Sequence, residues 1–285
     1  MNTVSFTVTA EYGGKKVLHF LRGGAGLSYH LVRSLKTFEN GIMCNGVRVR
    51  TCDIIHEGDI ITVNMQSKVP DIPAENIPLD IIYEDESLLA VNKPAGLAVH
   101  PTHNHFTGTL ANGVVYYFEQ QGCSVPFMAV GRLDKQTSGA LVIARDAYAC
   151  AKLQGRIEKT YIAVVQGELE KTGTIDLPII RPDPKKTLRQ CAPGGISAVT
   201  HFESIAYGDG YTAARVTLET GRTHQIRVHF ASSGHPLLGD SMYGSTDTRI
   251  SRAALHCLNA TFLHPVTGEK ITVTAPVPSD IQKFL

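Results

Sequence analysis

The chain's 285 residues are short of several signals that would settle its class at once. Its six cysteines (Cys44, Cys52, Cys123, Cys150, Cys191, Cys257) are scattered, with no Cys-x-x-Cys pair. That excludes a redox or zinc motif of that spacing and leaves reduced thiols in a cytoplasmic protein as the simplest reading. No apolar run approaches the roughly 20 residues of a bilayer-spanning helix, so no membrane role is expected. Met1 to Ala10 alternates polar and apolar residues like a strand, without the basic-then-apolar pattern of a secretory signal. Internal repeats and low-complexity tracts are missing too. Net charge is only +1, which does not advertise a nucleic-acid partner.

The distribution of charge says more than its total. Residues 1–70 carry +3, residues 71–90 carry −6 with no basic group, and residues 91–285 carry +4. Basic faces on either side of an acidic segment can hold phosphates despite a near-neutral sum. A well-mixed surface fits the same totals. The length suits one large domain with a smaller one, and the 43% hydrophobic content is ordinary for a globular chain.

Val4–Thr9 alternates as a strand. Gly23, Gly24 and Gly26 break the chain, and no Lys-Ser/Thr follows them as in a nucleotide-binding loop. Ser28 caps an expected helix through Leu31, Val32 and Leu35; Asn45-Gly46 marks a hairpin; Gly58–Val63 reads as turn then strand. Residues 67–79 are proline-rich and read as a linker between a unit over 1–66 and one over 80–285. Strands are expected at Ile81–Tyr83, Leu88–Val91, Lys159–Val165, Ala198–Ile205, Thr212–Leu218 and Lys270–Ala275. Helices are expected over 109–119 with Thr109 as cap, over Ala147–Ile157, and over Gln225–Ala231. Residues 181–195 read as an exposed loop. Strands and helices do not alternate, so the class is α+β. His100, His103 and His105 share a loop, but no Cys, Asp or Glu joins them locally, and a metal site is not expected.

One stretch concentrates chemistry: Gly131-Arg132-Leu133-Asp134-Lys135-Gln136-Thr137-Ser138-Gly139, followed by the buried-strand pattern Ala140–Ala144. Two glycines permit sharp turns, and a carboxylate between Arg132 and Lys135 at the edge of a core is a candidate nucleophile or acid/base. An ordinary charged turn has the same local chemistry.

Arg132-Leu-Asp-Lys-Gln-Thr-Ser-Gly139 resembles the signature of the RluA-type RNA pseudouridine synthases. Lys159–Gly167, Thr220–His229, Gly234–Gly244 and Leu255–Glu269 resemble later blocks of that family, in order over roughly 80–285. The helix, Asn-Gly hairpin and Gly-Asp-strand order of 1–66 resembles the small RNA-binding domain first described in ribosomal small-subunit protein four. The resemblance implies a catalytic fold with a mixed, largely antiparallel central sheet flanked by helices and loops, preceded by a small α+β RNA-binding domain. It implies no metal and no cofactor. Gly131 departs from the family, where a His often precedes the Arg-Leu-Asp.

Under the resemblance, Asp134 is the essential acid, Arg227 pairs with it, and Tyr161 stacks on the target uracil with its hydroxyl a candidate base. Alternation places Tyr161 on one strand face with Ala163 and Val165, opposite Ile162 and Val164. Ile226 is expected in the wall around the base, Arg132 in the space left by a flipped nucleotide, and Arg222 in structure or RNA contact. Arg33, Lys36, Arg48 and Arg50 are the expected phosphate contacts of the small domain, which position RNA without reading sequence. The expected partner is RNA, ribosomal in preference to transfer RNA, and the expected state is a cytoplasmic monomer. A silent RNA-binding protein and a small-molecule glycosidase are the alternatives; the latter needs a second carboxylate as proton donor.

Overall fold

A computed structural model describes residues 3–64, 72–102, 106–123 and 125–285, with only the backbone of His30. The first unit contains β1 (Thr3–Thr7), α1 (Val17–Gly23), α2 (Tyr29–Leu35), β2 (Ile42–Cys44), β3 (Val47–Arg48) and β4 (Ile60–Asn64). Then come β5 (Ile81–Glu84), β6 (Leu88–Lys93), α3 (Leu110–Gln120), β7 (Met128–Ala129), β8 (Ser138–Ala144), α4 (Ala147–Leu153) and β9 (Glu158–Gln166). The rest holds β10 (Thr172–Asp176), β11 (Ile179–Ile180), β12 (Gln190–Cys191), β13 (Val199–Gly208), β14 (Tyr211–Leu218), α5 (Gln225–Ser232), β15 (Leu255–Leu263), β16 (Lys270–Thr274) and α6 (Ser279–Gln282).

Among the described residues, β1-β4-β2-β3 form a four-stranded antiparallel sheet. Ser28 caps α2 by accepting from the Leu31 N–H at 3.2 Å. Asn45 and Gly46 both take positive φ, 49° and 80°, which is the two-residue turn that lets β2 fold back on β3. Phe20, Leu21, Leu35, Ile42, Ile61 and Val63 make this unit's own core. Tyr148 and Ala151 of α4 pack against it, with the Phe6 and Tyr148 rings 6.1 Å apart.

The large sheet runs β10-β13-β14-β9-β15-β8-β6-β5, with β16 beside β15 and β7 beside β8. It is mixed and largely antiparallel; β8 and β15 run parallel. Every residue of β8 is buried, as its unbroken apolar run requires. At Gly139, φ is 113° and a Cβ would fall 2.1 Å from the Cys257 carbonyl oxygen, so only glycine lets β15 lie alongside. The alternation of β9 separates two cores: Tyr161, Ala163 and Val165 face the main one with α3 and α5, while Ile162 and Val164 face Leu238, Ile250 and α6.

The structure corrects several details. The expected helix over 147–157 stops at Leu153, because Gln154 leaves helical geometry and Gly155 takes φ of 72°. Helix α1 lies where only glycine breaks stand out. Gln190–Cys191, inside the expected loop, pairs with Ile179–Ile180. Of the expected linker, 67–71 lie outside the described residues and 72–79 have no regular structure. Glu75 accepts from the Gly108 N–H at 2.6 Å and the Pro73 carbonyl accepts from Asn112, which fastens that segment to α3. His103 and His105 also lie outside the described residues.

Candidate active site

Asp134 sits on the loop entering β8, and the surrounding chain grips that loop by its carbonyls. The Asp134 carbonyl accepts from Thr137 N–H at 3.1 Å. The Lys135 carbonyl accepts from Gly96 N–H at 2.8 Å and from Lys93 Nζ at 3.3 Å. The Gln136 carbonyl accepts from Arg252 Nη1 at 3.2 Å. Arg252 is itself fixed by two bonds to Asp280, of 2.7 and 3.0 Å, and Ser138 Oγ meets His256 Nδ1 at 2.9 Å. Two buried cations, Lys93 and Arg252, therefore clamp the turn that presents the carboxylate.

Lys93 is fully buried in the turn of Asn92–Gly96. Its Nζ also donates to the Pro94 and Leu97 carbonyls, at 2.8 and 2.9 Å. Burial pulls its pKa down to about 7, helped by the Arg252 charge and opposed by Asp134. Three carbonyls around one Nζ match the three protons of an ammonium and offset part of that burial cost.

The Asp134 side chain remains 20% exposed at the mouth of a cleft. The cleft is lined by Arg132, Leu133, Thr137, Tyr161, Leu218, Arg222, His224, Gln225, Ile226, Arg227 and Leu255. The sequence-expected residues Asp134, Tyr161, Arg227, Ile226, Arg222 and Arg132 thus converge on one place from three separate segments. Among the cleft's lining residues, Asp134 is the single acid.

Arg227 Nη1 lies 3.6 Å from Asp134 Oδ2. Its Nε and Nη2 are bound side-on by Asp240, at 2.7 and 2.8 Å, and its Cζ lies 5.0 Å from the Tyr243 ring centre. Burial is the largest influence and works against the guanidinium charge, but the Asp240 hydrogen bonds together with the Asp240 and Asp134 charges outweigh it and hold the Arg227 pKa above the ordinary arginine value. Both partners are buried, Asp240 being 2% exposed. His224 Nε2 stands 3.8 Å from the same Asp134 oxygen, and its Nδ1 is 2.9 Å from the Tyr243 hydroxyl.

Tyr161 is 7% exposed. Burial raises its pKa well above the ordinary tyrosine value, and Cys257 and the Asp134 charge push the same way. The phenol is therefore neutral, an uncharged aromatic wall beside the carboxylate. Arg132 is exposed at the mouth. Arg222 donates through Nε to the Ser197 carbonyl at 3.1 Å.

The four cations expected in the small unit are all exposed. Lys36, Arg48 and Arg50 border a groove of about 470 Å³ with Phe38, Val49 and Asp53, whereas Arg33 on α2 lies outside its lining.

Sequence reasoning missed Asp240, His224, Tyr243, Lys93 and Arg252. Asp240 and Tyr243 belong to the Gly234–Gly244 block, and His224 to the Thr220–His229 block, but nothing local marks them as partners of Arg227 or Asp134. Lys93 reads only as part of a rigid turn.

Residues 87–232 match the family described as RNA pseudouridylate synthase. A Bacillus subtilis RNA pseudouridine synthase, YjbO, is 37% identical over 271 residues, covering 92% of this chain and 96% of its own length. Ribosomal large subunit pseudouridine synthase D of Haemophilus influenzae is 40% identical over 232 residues, covering 74% of this chain and 71% of its own. Among solved structures, human RNA pseudouridylate synthase domain containing 1 superposes with a TM-score of 0.58 at 27% identity, over 72% of this chain and 85% of that one.

Proposed function

The chain belongs to the RNA pseudouridine synthase family, and on that premise we propose that it isomerises uridines of large-subunit ribosomal RNA, with Asp134 as the essential acid. The reaction breaks the bond between uracil N1 and the ribose, turns the base, and rejoins it through carbon 5. The carbon 5 proton departs and N1 ends protonated, so no atom is gained from a cofactor. Breaking a glycosidic bond places positive character on the sugar, which an ionised carboxylate stabilises or traps. The observation that carries this reading is the Asp134–Arg227 arrangement: a partly open carboxylate 3.6 Å from a guanidinium that cannot move away, because Asp240 holds its other two nitrogens.

The target nucleotide has to leave its stack to reach Asp134, at a cost of a few kcal/mol that pocket contacts recover. The cleft is narrow, about 60 Å³, and is open to solvent where Asp134 and Arg132 line its mouth. Exposed Arg132 is placed to yield and to fill the gap left in the helix, where a planar cation stacks well. Neutral Tyr161 and Ile226 hold the uracil face. A proton leaving carbon 5 by way of the Tyr161 hydroxyl needs an onward acceptor, and the Asp134 carboxylate, whose charge already acts on that phenol, is the base at hand.

The unit over 1–66 serves as an RNA-binding module, with 67–79 joining it to the catalytic unit over 80–285. Its exposed Arg33, Lys36, Arg48 and Arg50 contact phosphates. Large-subunit ribosomal RNA is favoured because the Haemophilus relative carries that substrate in its name. Action as a monomer is part of the same proposal. A glycosidase is disfavoured because Asp134 is the single acid among the described residues lining the cleft, and Asp240 is buried against Arg227 and not free to donate a proton.

The test is tritium release from RNA labelled at uridine carbon 5, using large-subunit ribosomal RNA and transfer RNA transcripts. Release from the ribosomal transcript supports the assignment. Release from transfer RNA alone would replace the substrate, and release from neither would end the proposal.

A further inference from the structure

His224 is the last residue before α5 and one of two non-glycine residues with positive φ among those described, at 59°. Such a conformation is uncommon outside glycine, although histidine, like asparagine and aspartate, adopts it more readily than most side chains. It aims the imidazole between Asp134 and Tyr243. The ring stands edge-on to the Tyr243 ring, with centroids 5.7 Å apart at 87°.

The hydrogen bonds around Tyr243 bear on where the imidazole proton sits. The Tyr243 hydroxyl accepts from the Arg189 backbone N–H at 3.0 Å. A phenol has one proton to give, and the atom at hand to receive it is His224 Nδ1, at 2.9 Å. Nδ1 is then an acceptor, so the neutral ring carries its proton on Nε2. That nitrogen lies 3.8 Å from Asp134 Oδ2, the same oxygen that faces Arg227. Catalytic hydrogen bonds often stand long in an unliganded site and tighten around the substrate.

We propose that the chain Arg189 N–H, Tyr243 hydroxyl, His224 imidazole is a tautomer lock that aims an Nε2–H at the Asp134 carboxylate, making His224 a second positioning donor beside Arg227. The inference rests on Asp134 being the essential acid. The two donors divide the work: Arg227 supplies charge, and neutral His224 supplies direction without a second positive charge to weaken the carboxylate's attack. Burial keeps the imidazole neutral by lowering its pKa; Asp134 and Asp240 oppose this, while Arg227 and Arg189 add to it. The lock also explains the left-handed backbone: it turns the imidazole toward the Asp134 oxygen.

Nitrogen-15 spectroscopy of the wild-type protein labelled at histidine reads the tautomer directly, independent of turnover. The expected result at neutral pH is a neutral His224 with its proton on Nε2. A proton on Nδ1, or on both nitrogens, overturns the lock even if Asp134 proves essential. Kinetics supply the second arm. His224→Asn keeps a residue that tolerates the left-handed backbone, and Tyr243→Phe keeps the ring beside Arg227 while removing the hydroxyl. For His224→Asn, single-turnover kcat is expected to fall about 10- to 100-fold, the loss expected for one hydrogen bond to a charged group. The acid limb of its pH profile moves to higher pH, because the carboxylate has lost a donor. Tyr243→Phe shifts the limb the same way by less. A fall in kcat with the limb unmoved means a packing role only and overturns the proposal, as does unchanged kcat in both variants.

Discussion

Arg227 gives Nε and Nη2 to Asp240, at 2.7 and 2.8 Å, and leaves Nη1 for Asp134 at 3.6 Å. The tight pair fixes the guanidinium; the loose one meets the carboxylate proposed as the essential acid. A guanidinium bound on one side in a buried, two-pronged fashion has lost its rotational freedom before substrate arrives, so its third nitrogen is already placed.

Removing Asp240 should therefore damage both stability and activity. Asp240→Ala leaves a buried, uncompensated guanidinium, for which a loss of about 3–5 kcal/mol is expected. Asp240→Asn keeps one acceptor and should lose less. Urea midpoints give the stability, and single-turnover kcat on the same samples should fall in the same order.

Gly139→Ala should fail to fold. The new methyl would lie 2.1 Å from the Cys257 carbonyl oxygen, and φ of 113° is strained for any side chain. A loss of about 4 kcal/mol or more is expected where backbone must move. Gly210→Ala is the control: its φ is also positive, but nothing lies within 4 Å of the added methyl. Soluble yield and thermal midpoint separate the two.

Lys93 gives a pH dependence with a definite sign. Its pKa is about 7 in the folded chain, against an ordinary value of 10.5. Between those values the unfolded chain binds more protons than the folded one, so this group makes stability rise with pH. Its contribution is full above about 10.5 and lost as pH falls through about 7. Other groups titrate nearby, so the difference between wild type and Lys93→Met isolates the effect. The variant's urea midpoint should lack that part of the rise. It should also sit lower at alkaline pH, since the Pro94, Leu97 and Lys135 carbonyls lose their shared donor.

Lys36, Arg48 and Arg50 should affect binding without chemistry. Each change to alanine is expected to reduce the slope of log affinity against log salt by about 1, weakening RNA sequences alike. At saturating RNA, single-turnover kcat should stay at the wild-type value. A fall in kcat would place these side chains in the catalytic step.

Much of this is legible in the residues because it is local. Ser28 caps its helix, Asn45-Gly46 turns its hairpin, and the alternation of β9 sends Tyr161 to the cleft side and Ile162 to the other core. Asp134, Tyr161 and Arg227 are readable as a set from ordered motifs, and the fold brings them together. The supports escape notice because they are distant in sequence: Lys93 reaches across 42 residues to the Lys135 carbonyl, and Arg252 across 116 to that of Gln136. No periodicity or spacing encodes such a bond. Helix α1 is hidden by the glycines at its end, and α4 is shortened by Gly155, whose φ of 72° belongs to a turn.

The most direct test of the central assignment is Asp134→Asn, a near-isosteric change that removes the charge alone. With RNA tritiated at uridine carbon 5, the variant should bind the transcript with wild-type affinity and release no tritium under single-turnover conditions. Measurable release by a homogeneous, folded variant would contradict the account.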